Sequence, residues 1–257
     1  MTIEVTATRT GHIGEIRFAK PPFNYACPEL LRQIADRIDA FDADPDVRCL
    51  LLSSEGKSFC AGADLAGDES ITAANGMDSI SDLYSQALRI FARRKPMVAA
   101  IQGAAIGAGL GLAMSADFRV AAPAARLSAN FVRLGFHPGF GLTHTLPRAL
   151  GQQRAAWLML SATRAKPDDA LAWGLVDRLS GDADLMEVSR GFAGEIADNA
   201  PLALVSVRQT LQAGLIEDLR RTLAHEHHEQ TILKATADYA EGVASVFERR
   251  EANFTGT

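Results

Sequence analysis

The residues best placed to do chemistry in this chain carry almost no side chain. Ser58-Phe59-Cys60-Ala61-Gly62-Ala63-Asp64-Leu65 is one such segment, and Ile101-Gln102-Gly103-Ala104-Ala105-Ile106-Gly107-Ala108-Gly109-Leu110-Gly111-Leu112 is the other. Each follows an apolar run that reads as a buried strand. Each lacks bulk where a backbone would have to come close to something. Two loops of this kind can aim two main-chain N–H groups at one point, which is how an oxyanion hole is built. The matching chemistry passes through a negatively charged oxygen, such as a thioester enolate. Gly107-Ala108-Gly109 opens a helix in this reading, and a helix start offers an anion free N–H groups and a positive partial charge.

Other chemistries fit less well. A dinucleotide-binding turn needs Gly-x-Gly-x-x-Gly/Ala, but counting from Gly107 puts Leu112 at the last position and counting from Gly109 puts Met114 there. Neither is small enough for the helix to pack as that fold requires. No Gly-Lys-Ser/Thr closes the segment, so it is not a P-loop. Gly103, Ala104 and Ala105 read as close helix–helix packing. His225, His227 and His228 invite a metal, but only His225 and His228 share a helical face and the His-Glu-x-x-His pattern is not met. A solvated or subunit-facing helix accounts for them, and no metal site is expected. Cys27, Cys49 and Cys60 match no metal spacing or disulfide framework, which points to a reducing, cytoplasmic setting. The net charge of −5, with no basic stripe, argues against nucleic acid as a partner. No apolar run reaches membrane-spanning length, and the alternating N-terminus is not a signal peptide.

The elements that must position these segments follow from periodicity. Residues 2–19 predict a β-hairpin, with Ile3, Val5 and Ala7, then Ile13, Ile16 and Phe18, on either side of Thr10-Gly11. Pro28 suits the first turn of a helix running to Phe41. Strands are predicted at Val47–Ser53, Met97–Gln102, Phe118–Ala122 and Ala125–Ser128, and helices at Ser79–Arg94 and from the second small-residue segment to Met114. Phe136–Gly141 reads as a turn. From Leu142 onward the pattern is helical, apart from a strand-like break at Leu175–Leu179, with helix starts at Pro167-Asp168, Asp182 and Asn199-Ala200-Pro201. The fold class predicted is α/β, one core with a helical appendage.

The order of motifs along the chain resembles the crotonase (enoyl-CoA hydratase/isomerase) superfamily. The resemblance is carried by Phe59 to Leu65, Gln102 to Leu110, Ser115-Ala116-Asp117, Leu134-Gly135-Phe136-His137-Pro138-Gly139, Leu146-Pro147-Arg148 and Phe247 to Phe254. It spans nearly the whole chain. It implies a crotonase-like spiral of ββα units over residues 1–195 and a C-terminal helical trimerisation region over 196–257, assembling as a homotrimer or a dimer of trimers. It places the two oxyanion-hole N–H groups on Ala63 and Ala108, and the coenzyme A contacts at Asp64 and Leu65. Gly62, Gly107, Asn130 and Phe131 are further substrate-binding candidates, and Asp117 reads as structural. Lys20, Lys57 and Arg250 are candidates for the coenzyme's phosphates. The substrate implied is an acyl-CoA, with coenzyme A entering as part of it and no tightly bound cofactor.

The pattern breaks where hydratases of that superfamily carry two glutamates. The first position aligns with Gly111 and the second with Phe131. A positioned acid or base contributes about 10²–10⁴-fold in rate, so hydratase activity does not follow from the fold. His137 is the first candidate replacement, because its turn borders the active site in that superfamily and its ordinary titration range suits proton transfer; the alternative is a ring that fills the turn and bonds a carbonyl. His144, Asp68, Glu69 and Tyr84 are weaker candidates, and Cys60 reads as a small apolar filler. Three readings stay open: an acyl-CoA enzyme of the enoyl-CoA hydratase/isomerase kind (a lyase or isomerase whose reaction the missing glutamates leave undefined), a coenzyme-A-independent β-diketone carbon–carbon hydrolase, and a catalytically inactive thioester-binding paralogue.

Overall fold

A computed structural model of the protein describes residues 2–63, 78–181 and 183–257. Its strands are β1 (Glu4–Thr10), β2 (Ile13–Ala19), β3 (Cys49–Ser54), β4 (Met97–Ile101), β5 (Ala104–Ile106), β6 (Phe118–Ala121), β7 (Arg126–Ser128) and β8 (Arg178–Leu179). Its helices are α1 (Pro28–Ala43), α2 (Ser79–Phe91), α3 (Ala108–Ser115), α4 (Leu142–Leu150), α5 (Gln152–Ser161), α6 (Pro167–Trp173), α7 (Leu185–Ala197), α8 (Pro201–Leu211), α9 (Leu215–Lys234) and α10 (Ala237–Glu248). A 3₁₀ segment spans Asn130–Leu134.

β1 and β2 form the predicted antiparallel hairpin, and β3, β4, β6 and β8 add to it in parallel, giving a six-stranded sheet of order β1-β2-β3-β4-β6-β8. The unbroken apolar runs of β3 and β4 exist because the sheet is covered on both faces. Leu50, Leu52, Ala99 and Ile101 point into the larger core with Ile34 and Ile38 of α1, whereas Cys49, Leu51, Val98 and Ala100 point to Leu185, Ala193 and Ala197 of α7. Successive residues alternate between these cores, as the period of a strand requires.

After β3, β4 and β6 the chain turns a corner into a second layer. There Cys60 bridges to Ala105, β5 pairs in parallel with β7, and Leu127 bridges to Ala165. Repeated turns of strand, corner and short strand make the spiral expected from the sequence. Gly103 occupies one corner because a Cβ there would lie 1.9 Å from the carbonyl oxygen of Lys57. Helix–helix packing is therefore the wrong account of Gly103, Ala104 and Ala105: the small residues let a corner and a short strand lie against a neighbouring backbone.

Asp117, just past α3, anchors that helix from behind. It accepts the Met97 N–H at 2.9 Å and pairs with Arg93 at 2.5 Å and Arg208 of α8 at 3.0 Å. Burial alone would raise its pKa, but the two guanidinium groups more than offset this and hold it below the usual carboxylate range. The boundary expected at 195/196 falls inside α7, which belongs to the sheet it covers. Among the described residues no helix is long and apolar enough to cross a membrane.

Candidate active site

The two small-residue segments lie side by side. The Cys60 N–H donates to the Ala104 carbonyl at 2.9 Å, and the Ile106 N–H donates to the Cys60 carbonyl at 3.0 Å. Gly109, in the first turn of α3, is pressed onto the same carbonyl, since a Cβ there would lie 1.9 Å from the Cys60 oxygen. Nothing larger than hydrogen lets α3 start so close to the Cys60 segment beside it.

Each segment then turns one amide out of the ladder. The Gly62 carbonyl is held by the Ala26 N–H at 2.8 Å, and the Gly107 N–H donates to the Ser128 carbonyl at 2.9 Å. Both glycines sit at positive φ, 116° for Gly62 and 53° for Gly107, a region that L side chains rarely occupy. The next amide in each case is Ala63 or Ala108. Among the described residues neither of these N–H groups has a hydrogen-bond partner. The first intrahelical bond of α3 runs from the Gly111 N–H to the Gly107 carbonyl at 3.0 Å, which leaves Ala108 as a free donor at the helix start. Ala63 and Ala108 line one cavity of about 220 Å³.

The other predicted residues divide around that cavity. Gly62, Gly107, Asn130 and Phe131 line it, joined by Tyr25, Leu134 and Phe136 and by Val246 and Phe247 from the end of α10. Asp64, Leu65, Asp68 and Glu69 lie outside the described residues. His137 is not among the lining residues: its Nδ1 donates to the Pro138 carbonyl at 2.7 Å, and its ring stands edge-on to His225 at 5.9 Å. Tyr84 is buried and donates to Gln230, which donates in turn to the His137 carbonyl. His144 is held towards its neutral form by burial and by Arg148. The Cys60 thiol is pushed up to about 11 by burial, as suits a filler. Lys20, Lys57 and Arg250 do not line the cavity either, and the Arg250 guanidinium is engaged by Glu241 and Glu248. Among the described residues no group of His, Cys, Asp or Glu side chains could hold a metal ion.

The two positions without carboxylates have physical causes. Phe131 is 8% exposed and presents its ring to the cavity wall beside Gly107. Gly111 has no room for any side chain, because a Cβ there would lie 2.5 Å from Cβ and Cγ of Phe140. Phe140 is itself buried in an unusual conformation, at φ 61°.

Glu226 is a residue that motif reading passes over. Its helix, α9, was expected to be solvated or subunit-facing at the histidines; Glu226, which lies among them in sequence, is fully buried and reaches the start of α4. It accepts the Gly141 N–H at 2.8 Å, the Thr143 N–H at 3.0 Å and the Thr143 hydroxyl at 2.6 Å, capping α4 directly after Phe140. The signal was present in the sequence. Leu215, Leu219, Leu223, Glu226 and Gln230 form the buried stripe of α9, so Glu226 stands where a core residue belongs.

Burial raises the Glu226 pKa to about 7, against the pull of its hydrogen bonds from Thr143 and Gly141. The folded protein thus binds this proton more tightly than the unfolded chain does. The resulting stabilisation is complete below 4.5 and is lost as pH rises through about 7. A shift of that size corresponds to roughly 3 kcal/mol. Glu226→Gln cannot titrate, so urea unfolding should show the variant gaining on the wild type by about that amount across this window. A constant offset from the altered cap does not affect the comparison; parallel pH profiles would refute it.

The model of the family described as enoyl-CoA hydratase/isomerase matches residues 8–257. The crotonyl-CoA hydratase of Syntrophomonas wolfei is 34% identical over 228 residues, covering 88% of this chain and 87% of that one. A crystal structure of an enoyl-CoA hydratase/isomerase from Pseudoalteromonas atlantica superposes with a TM-score of 0.87 at 27% identity, covering 98% of this chain and 99% of the other.

Proposed function

The chain belongs to the enoyl-CoA hydratase/isomerase family, and from that premise we propose that it is an acyl-CoA enzyme in which the Ala63 and Ala108 amides stabilise a thioester enolate. The observation that carries this reading is the pair of N–H groups without a partner among the described residues, each following a positive-φ glycine and both belonging to residues that line one cavity. Donors fixed in place before the substrate arrives need no reorganisation as charge develops, which is why such sites contribute so much to rate. Ala108 adds the positive end of α3 to the same point.

Hydration is not the reaction we assign to it. Phe140 fills the space at Gly111, and Phe131 offers an apolar ring where water would need a base. The reading is therefore thioester enolate chemistry of the lyase or isomerase kind, on a substrate bound through coenzyme A. It includes assembly as a trimer or a dimer of trimers through the helices after α7, which expose Leu202, Leu211 and Ile232.

One substitution tests the central claim. Ala108 is the first residue of α3, where proline is tolerated because that N–H has no intrahelical partner. Ala108→Pro deletes one donor and leaves the helix. Bound 2,4-hexadienoyl-CoA, whose dienoyl absorbance lies clear of adenine, should shift to the red in the wild-type protein as its carbonyl is polarised. In the variant most of that shift should vanish, and turnover of any processed thioester should fall by about 10²–10³-fold. Binding without a red shift, or a folded variant that behaves like wild type, would overturn the proposal. Binding in which the red shift is present but no thioester tested turns over would support the hole and point to the inactive paralogue.

A further inference from the structure

The cavity's walls say more about the acyl group than its amides do. Four rings, Tyr25, Phe131, Phe136 and Phe247, line it. None of the described lining residues carries a charge. Its polar groups are the Asn130 amide, the Tyr25 hydroxyl and the main chain.

These walls are fixed in place. Phe136 packs against Tyr239 of α10 with ring centroids 5.0 Å apart. α10 lies against the 3₁₀ segment without room to shift, since a Cβ on Gly242 would lie 2.5 Å from the Leu134 carbonyl carbon and one on Gly135 2.7 Å from the Asp238 oxygen. The C-terminal tail ties α10 down further: the Asp238 carboxylate accepts the Thr255 N–H at 2.7 Å and the Gly256 N–H at 2.9 Å. On the side formed by α10 and the 3₁₀ segment the slot therefore has no room to lengthen for a long chain.

Size and chemistry then select the occupant. An apolar cavity of about 150 Å³ suffices for benzene, so about 220 Å³ holds one ring and the two-carbon stub that joins it to sulfur. Rings that meet rings edge-on or offset gain binding beyond the area they bury. We infer that the acyl group this site prefers is short, uncharged and aromatic, with Phe131 as the residue that selects the ring. This rests on the acyl-CoA reading proposed above.

The experiment compares dissociation constants by calorimetry for non-reacting thioesters of one coenzyme: phenylacetyl-, butyryl-, octanoyl- and succinyl-CoA, with free coenzyme A as baseline. Phenylacetyl-CoA is expected to bind about tenfold more tightly than butyryl-CoA, with octanoyl- and succinyl-CoA weaker than phenylacetyl-CoA. Phe131→Leu keeps an apolar side chain of similar volume, and it should reduce the phenylacetyl-to-butyryl ratio to near unity. Butyryl- or octanoyl-CoA binding as tightly as phenylacetyl-CoA would overturn the inference and leave the thioester reading intact. So would a ratio unchanged in a folded Phe131→Leu protein. Failure of every thioester to bind would overturn the thioester reading itself, and this inference with it.

Discussion

Gly109→Ala is expected to abolish the site with a single methyl group. The added Cβ would lie 1.9 Å from the Cys60 carbonyl oxygen and 2.7 Å from its carbon. Both are backbone atoms, so no rotamer change relieves the contact. The same carbonyl accepts the Ile106 N–H that holds the two small-residue segments together. Relief must come from moving α3 away from the Cys60 segment beside it, which carries Ala108 away from Ala63. Loss of one preorganised donor costs about 10²–10³-fold in rate, and carrying Ala108 away from the proposed pair should cost about that much. Overpacking a tight core costs about 1–3 kcal/mol, and a clash with backbone should lie at or above the top of that range. Gly191→Ala and Gly194→Ala are internal controls, since a Cβ at either site in α7 meets nothing within 4 Å. Each should stabilise the protein by about 0.5–1 kcal/mol through helix propensity. A folded Gly109→Ala protein that polarises hexadienoyl-CoA as wild type does would remove the close approach from the argument.

Much of this arrangement is legible before any coordinates. The hairpin, the strands β3 and β4 and the start of α3 follow from apolar period and from where glycine and proline stand. Other features depend on partners far along the chain. Ala104 and Ala105 favour helix by propensity, yet they form a strand, because Cys60 and β7 flank them and pairing overrides intrinsic preference. The 3₁₀ segment Asn130–Leu134 is too short to leave a period, and it is positioned by Gly135 and Gly242 packing onto α10. The Phe131 ring could be placed near the site by resemblance, but that α10 would complete the same cavity with Val246 and Phe247 could not be read from local pattern. His137 shows the opposite limit. A titratable residue in the right turn is only a candidate until its ring is seen, and this ring is bonded to the Pro138 carbonyl.

Gly111 and Phe140 are one feature written at two positions, and separating them should reveal it. The ring of Phe140 occupies the volume that a side chain at Gly111 would need, at a φ of 61° that favours glycine. Gly111→Glu alone forces a Cβ to 2.5 Å from Phe140 and buries a carboxylate beside a phenyl ring. That combination should cost about 4 kcal/mol, a large fraction of a typical domain's stability but one that leaves a measurable unfolding transition. Phe140→Gly alone empties a core position, at about 3–5 kcal/mol on the scale of ring deletions, partly offset by relief of the strained backbone. Combined, the ring's absence makes room for the glutamate, so the double variant should be more stable than the sum of the singles by at least about 2 kcal/mol. The carboxylate would then stand on α3 one turn after Ala108, where the family resemblance places the first glutamate of a hydratase. Hydration of crotonyl-CoA should rise by about 10²-fold or more over the parent, the contribution of one positioned acid–base group. Denaturant unfolding of the four proteins measures the coupling, and loss of the enoyl absorbance measures the gain. Strictly additive stabilities would mean that the ring and the missing side chain do not share a space. A folded double variant with unchanged hydration would mean that the volume under Phe140 does not lead to the acyl β-carbon.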